Sequence, residues 1–304
     1  MGPPSWYAIS MGMTWGLPLL MGLGFLPSVA LVFYLRRHTK DREARLRVPF
    51  DELRRRPPGE SLRLKLADMD DRITERALFL IGLPVMTAAL IGQTYRGGLM
   101  PPLILFLASV AWTAFYGQHV YRLVRERNNH QLGFDGERFV GEELSRLVAR
   151  GFQVYHDVEF EGWNIDHVLV GPPGVYAVET KTRRKPVNDQ GKKEYRVEFD
   201  GRQLKWPWGW DAYGVEQAAS NARSLSQWLS GAVGEAVAVT PILTLPGWMV
   251  DRRTPRSAVL VFNPKEIIDH CGGVKGASLS DNLIARICYQ LDQKCRVPVE
   301  KPKK

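Results

Sequence analysis

Residues 164–181 of this chain read NIDHVLVGPPGVYAVETK. On either side of the glycines and prolines at 171–174, the runs 163–170 and 175–181 are rich in β-branched and aromatic residues. Gly-Pro-Pro-Gly between two such runs is typical of a turn. The sequence therefore predicts a β-hairpin, and the run 152–160 predicts a further strand before it.

The predicted hairpin brings two acidic residues together. If its loop has two or four residues, Val170 faces Val175 and Asp166 falls opposite Glu179; a slip of one residue would turn one strand's side chains to the other face. Directly opposed Cβ atoms lie about 4.5–5.5 Å apart, and like charges at that separation repel. A divalent cation that prefers oxygen ligands, Mg²⁺ or Mn²⁺, would relieve this repulsion.

Lys181 lies two residues beyond Glu179 on the same strand, so its side chain is expected on the same face. There it can hold a water molecule or a phosphate oxygen beside the cation. The strand and turn pattern alone leaves a second interpretation open, in which these residues are ordinary solvated surface charges.

A helix is predicted to begin near Gly136 and to end at Gly151, because apolar residues recur at helical spacing between them. Glu137 lies at the end of its apolar face. This carboxylate either belongs to the acidic site or is a first-turn residue that complements the helix dipole.

Three motifs together resemble the nuclease-related domain (NERD) family of the PD-(D/E)xK nuclease superfamily, over roughly residues 132–245. They are Gly136-Glu137, the Asn-x-Asp-His run at 164–170, and the Gly-Val and Glu-x-Lys run at 174–181. The resemblance implies an α/β, restriction-endonuclease-like fold with a mixed central sheet flanked by helices. Its core order is helix, three strands, helix, strand; here 211–230 is predicted as the second helix, 236–243 as the next strand and 258–262 as another.

The resemblance also implies roles for individual residues. Asp166 and Glu179 would bind Mg²⁺, with the Thr180 carbonyl completing the inner sphere, and Lys181 would orient or deprotonate the attacking water. Glu137 would support the metal or a second ion. Two further residues belong to this set: Gln217, which matches a glutamine near the active site but is equally compatible with an exposed helix position, and His167, which is expected to pack or orient.

The segment between the third strand and the second helix concentrates positive charge. Residues 181–205 hold nine Lys/Arg against four Asp/Glu, and 195–206 predicts a hairpin with an Asp-Gly turn. Trp206, Trp208 and Trp210 follow. Basic side chains can bind the phosphates of DNA and aromatic rings can stack on unpaired bases, so 182–205 and these tryptophans are candidate DNA contacts. The alternative is a solvated basic hairpin beside a buried tryptophan cluster.

Three apolar runs, 15–35, 77–95 and 99–121, are long enough to cross a bilayer. No Lys or Arg precedes the first run, so no signal peptide is predicted. The connector 36–76 carries 13 Lys/Arg, which places the N-terminus outside and the large domain in the cytoplasm, with the connector near anionic lipid, at a bacterial inner membrane. The alternative for the last two runs is a buried helical hairpin of a soluble protein.

The chain is thus predicted to divide into a membrane region, 1–121, a nuclease-related domain, 122–245, and a C-terminal extension with a flexible tail, 246–304. Its three cysteines are odd in number and lack a C-x-x-C spacing, which argues against a disulfide framework and a zinc knuckle. The predicted function is a membrane-anchored, metal-dependent nuclease. The alternatives are a catalytically silent DNA-binding module at the membrane, in DNA uptake, transfer or processing, and a signalling or assembly domain.

Overall fold

A computed structural model describes residues 55–94, 100–187, 194–254, 256–273 and 279–296, together with a few positions between 30 and 38. The chain divides into two compact units, one of 1–48, 66–128 and 300–304 and the other of 49–65 with 129–299. Most of the first predicted membrane span, 15–35, and the predicted flexible tail lie outside the described residues. Part of the predicted connector, 49–65, thus belongs to the same unit as 129–299.

Two long helices, α1 (Glu60–Thr94) and α2 (Met100–Ser145), include residues 77–94 of the second predicted span and 100–121 of the third. Among the described residues, the helix Leu103–Arg150 is long and apolar enough to cross a membrane, judged by length and composition, and none of its apolar window is buried. The predicted helix start at Gly136 is wrong, because α2 continues through that position. No proline interrupts 122–136, and a glycine costs a helix only about 1 kcal/mol.

The second unit is built on a five-stranded mixed sheet in the order β1-β2-β3-β7-β9. The first three strands are antiparallel, and β3, β7 and β9 run parallel. Their bounds are β1 Gln153–Phe160, β2 Trp163–Gly171, β3 Gly174–Thr180, β7 Val239–Thr244 and β9 Leu260–Phe262.

The hairpin register predicted from the sequence is confirmed. Pairing runs from Gly171↔Gly174 to His167↔Val178, so the loop is the two-residue Pro172-Pro173. A Cβ at Gly171 would lie 2.6 Å from the Phe152 ring, which explains why glycine begins this turn. The ladder ends one position before Asp166 and Glu179, which therefore lie where the two strands begin to separate.

A second, four-stranded sheet has the order β6-β5-β4-β8. Its strands are β4 Arg196–Phe199, β5 Leu204–Trp206, β6 Gly209–Asp211 and β8 Met249–Arg252. The predicted hairpin is present, but Phe199 pairs with Leu204, so its connection has four residues and not an Asp-Gly pair. The Asp200 carboxylate accepts hydrogen bonds from the backbone N–H groups of Arg202 and Gln203, which stabilises this wider loop.

Helices cover both faces of the five-stranded sheet. On one face, apolar residues of β1–β3 pack against α3 (Tyr213–Val233) and α5 (Asp281–Lys294). On the other, they pack against α2 and α4 (Pro264–Gly273). The predicted mixed α/β architecture is thus confirmed. A third cluster joins the second sheet to α3 and β7, with Trp248 fully buried at its centre.

Candidate active site

The ends of β2 and β3 place two carboxylates in the interior. Asp166 is 6% exposed and Glu179 is 3% exposed. The Thr180 backbone N–H donates to Asp166 Oδ2 at 2.7 Å. Burial of a charge is costly unless it is paired or hydrogen-bonded, and this one backbone hydrogen bond is a modest compensation for Asp166.

Both the side chain and the backbone N–H of Lys181 donate hydrogen bonds. Its Nζ donates to Glu179 Oε1 at 2.7 Å and to Gln217 Oε1 at 2.8 Å. Its backbone N–H donates to the Thr244 carbonyl of β7 at 2.9 Å. The amine also lies 5.4 Å from the centre of the Tyr213 ring. The structure thus brings Glu179, Lys181 and Gln217 together.

Asn221 is a site residue that the sequence analysis missed. Its Nδ2 donates to Glu179 Oε2 at 2.9 Å, so both Glu179 oxygens are held by protein donors. Asn221 lies four residues after Gln217 in α3, and residues at that spacing share a helix face. The helical spacing from Gln217 is the signal that could have identified it.

Glu137 approaches the same group from α2. It is 8% exposed, and burial, with Asp157 and Glu179 nearby, raises the pKa of its carboxyl to about 8. Burial, together with Glu179 and Glu137, raises the pKa of Asp166 well above its ordinary value, and Lys181 only partly opposes this. Burial also raises the pKa of Glu179, while Lys181 and Asn221 lower it. Glu137, Asp166 and Glu179 are therefore three buried carboxyl groups that share the positive charge of Lys181.

The donor chemistry of this cluster fits a hard divalent cation. Carboxylate oxygens are the ligands that Mg²⁺ and Mn²⁺ prefer, and Asp166 and Glu179 supply them from adjacent strands. Within the described ranges, no group of three or more His, Cys, Asp or Glu side chains is placed to hold a metal ion unaided. Backbone and water oxygens would have to complete the coordination, and Thr180, 8% exposed, is the adjacent residue that offers a carbonyl.

Comparison with known families bears on this segment directly. Residues 132–246 match the family model of the nuclease-related domain, NERD. The match contains Glu137, Asp166, Glu179, Lys181 and Gln217. It ends one residue beyond position 245, where the resemblance predicted from the sequence ends. Searches of curated proteins and of solved structures gave no match. The NERD resemblance is thus confirmed for somewhat more than a third of the chain.

The NERD segment is joined to residues that precede it by a buried ionic network, which the sequence analysis also missed. Arg56, 5% exposed, donates from Nε to Asp157 Oδ2 at 2.9 Å, and it also pairs with Glu159. Asp157 is fully buried and has a positive φ of 48°. Its carboxylate accepts from the Ser61 hydroxyl at 2.6 Å and from the Ser61 backbone N–H at 2.9 Å.

This network reaches the carboxylate site through two asparagines of the NERD segment. Asn164 Nδ2 donates to Asp157 Oδ1 at 3.0 Å. Asn221 Nδ2 lies 3.5 Å from the Asn164 carbonyl oxygen and 2.9 Å from Glu179 Oε2. A chain of polar contacts therefore connects Arg56 to Glu179.

His167 lies in the interior, beside a second histidine. Its Nδ1 is 2.9 Å from His156 Nδ1, so one of the two nitrogens carries the hydrogen. Its Nε2 has no hydrogen-bond partner in the described part of the chain. Burial lowers the pKa of both imidazoles. This buried ring pair is consistent with the packing role expected for His167.

The predicted nucleic-acid segment is partly described, since 188–193 lie outside the described residues. Trp206 is buried at 3% exposure, whereas Trp208 and Trp210 are 53% and 55% exposed. The Trp206 and Trp208 rings are stacked, with centroids 5.2 Å apart and an interplanar angle of 10°. One of the three tryptophans therefore belongs to the core and the other two present ring surface to solvent.

Proposed function

We propose that this protein is a membrane-anchored, metal-dependent nuclease of the PD-(D/E)xK type that hydrolyses phosphodiester bonds of DNA. The observation that carries the proposal is the convergence of two buried carboxylates, Asp166 and Glu179, with the amine of Lys181 2.7 Å from Glu179. A purely structural core gains little from such a group, because burying like charges side by side is costly. The NERD match of the same segment supports a nuclease-related role.

Asp166, Glu179 and the Thr180 carbonyl are the groups that would hold Mg²⁺ or Mn²⁺, with Glu137 supporting them. When bound, such a cation lowers the pKa of a water molecule and neutralises charge on phosphate oxygens.

The protein's own residues have distinct tasks in this proposal. Lys181 orients the attacking water and stabilises the negative charge that develops on the phosphate. Gln217 holds the Lys181 amine from the helix side through its 2.8 Å hydrogen bond. Asn221 fixes the second oxygen of Glu179, so that the first can face the cation and Lys181.

Membrane anchoring rests on the apolar helix Leu103–Arg150 together with the apolar runs of the sequence. In the predicted orientation the N-terminus lies outside and the nuclease-related domain lies in the cytoplasm, with basic residues near anionic lipid. The substrate is then a polynucleotide that reaches the membrane surface.

One observation favours the second candidate, a catalytically silent nuclease-fold module that binds DNA. Both Glu179 oxygens accept hydrogen bonds from protein donors, Lys181 and Asn221. A cation must displace or rearrange at least one of these donors before it can use Glu179 fully. If that exchange is too costly, the domain binds DNA and does not cut it.

The decisive experiment is a cleavage assay of the full chain in detergent, on supercoiled, linear and single-stranded DNA and on RNA. It compares Mg²⁺, Mn²⁺ and EDTA. We expect metal-dependent cleavage that falls about 100-fold or more in Asp166→Ala and Lys181→Ala. Lys265→Ala, an exposed lysine of α4, is the control and should cut normally. Binding of DNA with no cleavage under any metal would establish the silent module instead.

A further inference from the structure

The segment 56–62 precedes the NERD segment in sequence, but its backbone lies directly against the Glu137 carboxylate. Gly59 is buried and has a φ of +74°. A Cβ at Gly59 would lie 3.5 Å from Glu137 Oε2 and 2.7 Å from the Phe134 ring. Glycine is therefore required here both by the backbone conformation and by the lack of space. Residues outside the family match thus form part of the immediate surroundings of a candidate site carboxylate.

One face of α2 contacts this segment at three successive turns. Glu137 lies four residues after Gly133 and four before Gly141, and residues at that spacing share a helix face. A Cβ at Gly133 would lie 3.2 Å from the Leu62 side chain, and a Cβ at Gly141 would lie 2.4 Å from that of Pro58. The two glycines thus let the segment approach the helix on both sides of Glu137.

The segment also holds the strand position opposite Asp166. The register of β1 and β2 on both sides puts Asp157 opposite Asp166, but these two residues do not form a pair in the described ladder. Asp157 has a φ of 48°, in a region that residues other than glycine rarely adopt. Such a conformation persists only where the surroundings fix it. Here Arg56 and Ser61 fix it, through hydrogen bonds of 2.9 and 2.6 Å to the Asp157 carboxylate.

Charge links the same residues. Burial, and next the Asp157 carboxylate, raise the pKa of Glu137 to about 8, so the two carboxyl groups lie close enough to interact. The Arg56 guanidinium, 2.8 Å from Asp157, supplies the balancing positive charge from the segment. If the segment withdrew, Asp157 would lose this cation and Glu137 would lose the backbone that lies against it. Both the position and the electrostatic surroundings of Glu137 therefore depend on the segment.

We propose that residues 56–62 act as a clamp that positions Glu137 and Asp166 for the cation, so that metal affinity depends on a segment outside the NERD match. The inference rests on the proposed function in taking a divalent cation as the ligand, and it adds the element that regulates how tightly this ligand is held. Residues that orient metal ligands without touching the metal commonly change its affinity by about 10–100-fold. Because α1 begins at Glu60, within the clamp, a displacement of the first turn of this helix would reach the site.

The test is a titration of the full chain in detergent with Mn²⁺, followed by electron paramagnetic resonance. In Gly59→Ala the new Cβ has to displace Phe134 or Glu137, so we expect the Mn²⁺ affinity to fall by about 10-fold or more. Gly162→Ala is the matched control: Gly162 has a φ of +82°, but no atom of the described residues lies within 4 Å of a Cβ there. This control imposes a similar backbone strain and should bind Mn²⁺ as wild type does.

A milder variant decides the question if Gly59→Ala does not fold. Ser61→Ala removes the hydroxyl donor to Asp157 and leaves the other partners of this carboxylate in place, so we expect a smaller loss of Mn²⁺ affinity, of about threefold. Ser61→Thr keeps a hydroxyl and should restore the affinity. Ser257→Ala, which removes a donor to the Gly201 carbonyl, is the matched control and should leave the affinity unchanged. Thermal unfolding in EDTA shows how much stability each variant loses.

Wild-type Mn²⁺ affinity in Gly59→Ala and Ser61→Ala, or an equal loss in their matched controls, would overturn the clamp and leave the proposed function standing. A wild-type chain that binds no Mn²⁺ would overturn the proposed function, and the clamp with it. Weaker Mn²⁺ binding in the clamp variants alone supports the clamp whether or not the cleavage assay succeeds, so the two failures are distinguishable.

Discussion

Arg56 and Asp157, separated by 101 residues in sequence, form a buried ion pair with an N–O distance of 2.8 Å. The pair holds the segment before α1 against β1, and Ser61 at the start of α1 joins it through two further hydrogen bonds. Pro58 occupies the space beside Gly141, since a Cβ added there would lie 2.4 Å from the Pro58 side chain. Residues 55–61 are therefore an integral part of the unit that contains the NERD segment.

Replacing Arg56 with methionine should destabilise this unit by about 3–5 kcal/mol, because a fully buried Asp157 carboxylate would lose its cation. Thermal and urea unfolding of the full chain, followed by tryptophan fluorescence, measure the effect. Arg253→Met is the matched control: Arg253 is 58% exposed and pairs with Glu198 and Asp251 at the surface. Exposed pairs contribute about 0–1 kcal/mol, so equal losses in the two variants would contradict a structural role for the Arg56 pair.

Replacing Asn221 with leucine should weaken metal binding, since Glu179 would lose the donor that fixes its Oε2. Loss of a residue that orients a metal ligand commonly costs about 10–100-fold in metal affinity. Titration of Mn²⁺ followed by electron paramagnetic resonance measures the affinity without reference to cleavage. Ser220→Leu changes the neighbouring exposed residue of the same helix and should leave the affinity unchanged. A normal Mn²⁺ affinity in Asn221→Leu would show that this hydrogen bond does not serve a metal site.

Replacing Gly214 with alanine should reduce cleavage without stabilising the fold. An alanine in a helix is about 0.5–1 kcal/mol more favourable than a glycine, but a Cβ at Gly214 would lie 3.1 Å from Lys181 Cγ and 3.5 Å from Leu243. We expect little or no stabilisation, together with reduced cleavage, because the Lys181 side chain has to shift. In Gly231→Ala, where no atom lies within 4 Å of the new Cβ, stability should rise and cleavage should stay normal. Full cleavage by Gly214→Ala would mean that the position of the Lys181 stem is not critical.

The metal-free protein should lose stability as the pH rises through the neutral range. Burial raises the pKa of Glu137 to about 8, so the folded state binds this proton more tightly than the unfolded state does. The contribution of Glu137 to stability is therefore complete below its ordinary pKa of 4.5 and declines as the pH approaches 8, by at most about 1.4 kcal/mol per pH unit. Unfolding in EDTA across this range measures the slope. Glu137→Gln should flatten it, and a wild-type slope in that variant would assign the pH dependence to other groups.

The parts of the fold that the sequence predicted are those with local signals. Strand alternation and the turn at 171–174 determined the hairpin register, and that register brought Asp166 and Glu179 to the same end of the sheet. Gln217 was found through the family pattern. Its neighbour in the site, Asn221, carries the same helical signal but was overlooked, because an asparagine on a helix is ordinarily interpreted as a surface residue.

The parts that the sequence did not predict depend on contacts between distant residues. Strand β8 pairs with β4 across about 50 residues. It has only four residues, too few for an alternation of apolar and polar residues to identify a strand. The buried Arg56 lies in a run of arginines, Arg54-Arg55-Arg56, that is indistinguishable by composition from a solvated basic connector. Only the placement of Asp157 in space shows which of these arginines enters the interior.

The Arg56–Asp157 pair also constrains the order of events during synthesis. Arg56 leaves the ribosome 101 residues before its partner, which at about 5–20 residues per second corresponds to a delay of roughly 5–20 s. During that interval α1 and α2 are synthesised, while the Asp157 carboxylate that pairs with Arg56 does not yet exist. The unit that contains the NERD segment can therefore form this ion pair only after residues 57–157 have been made, and a pause in translation before Asp157 would leave Arg56 without its partner.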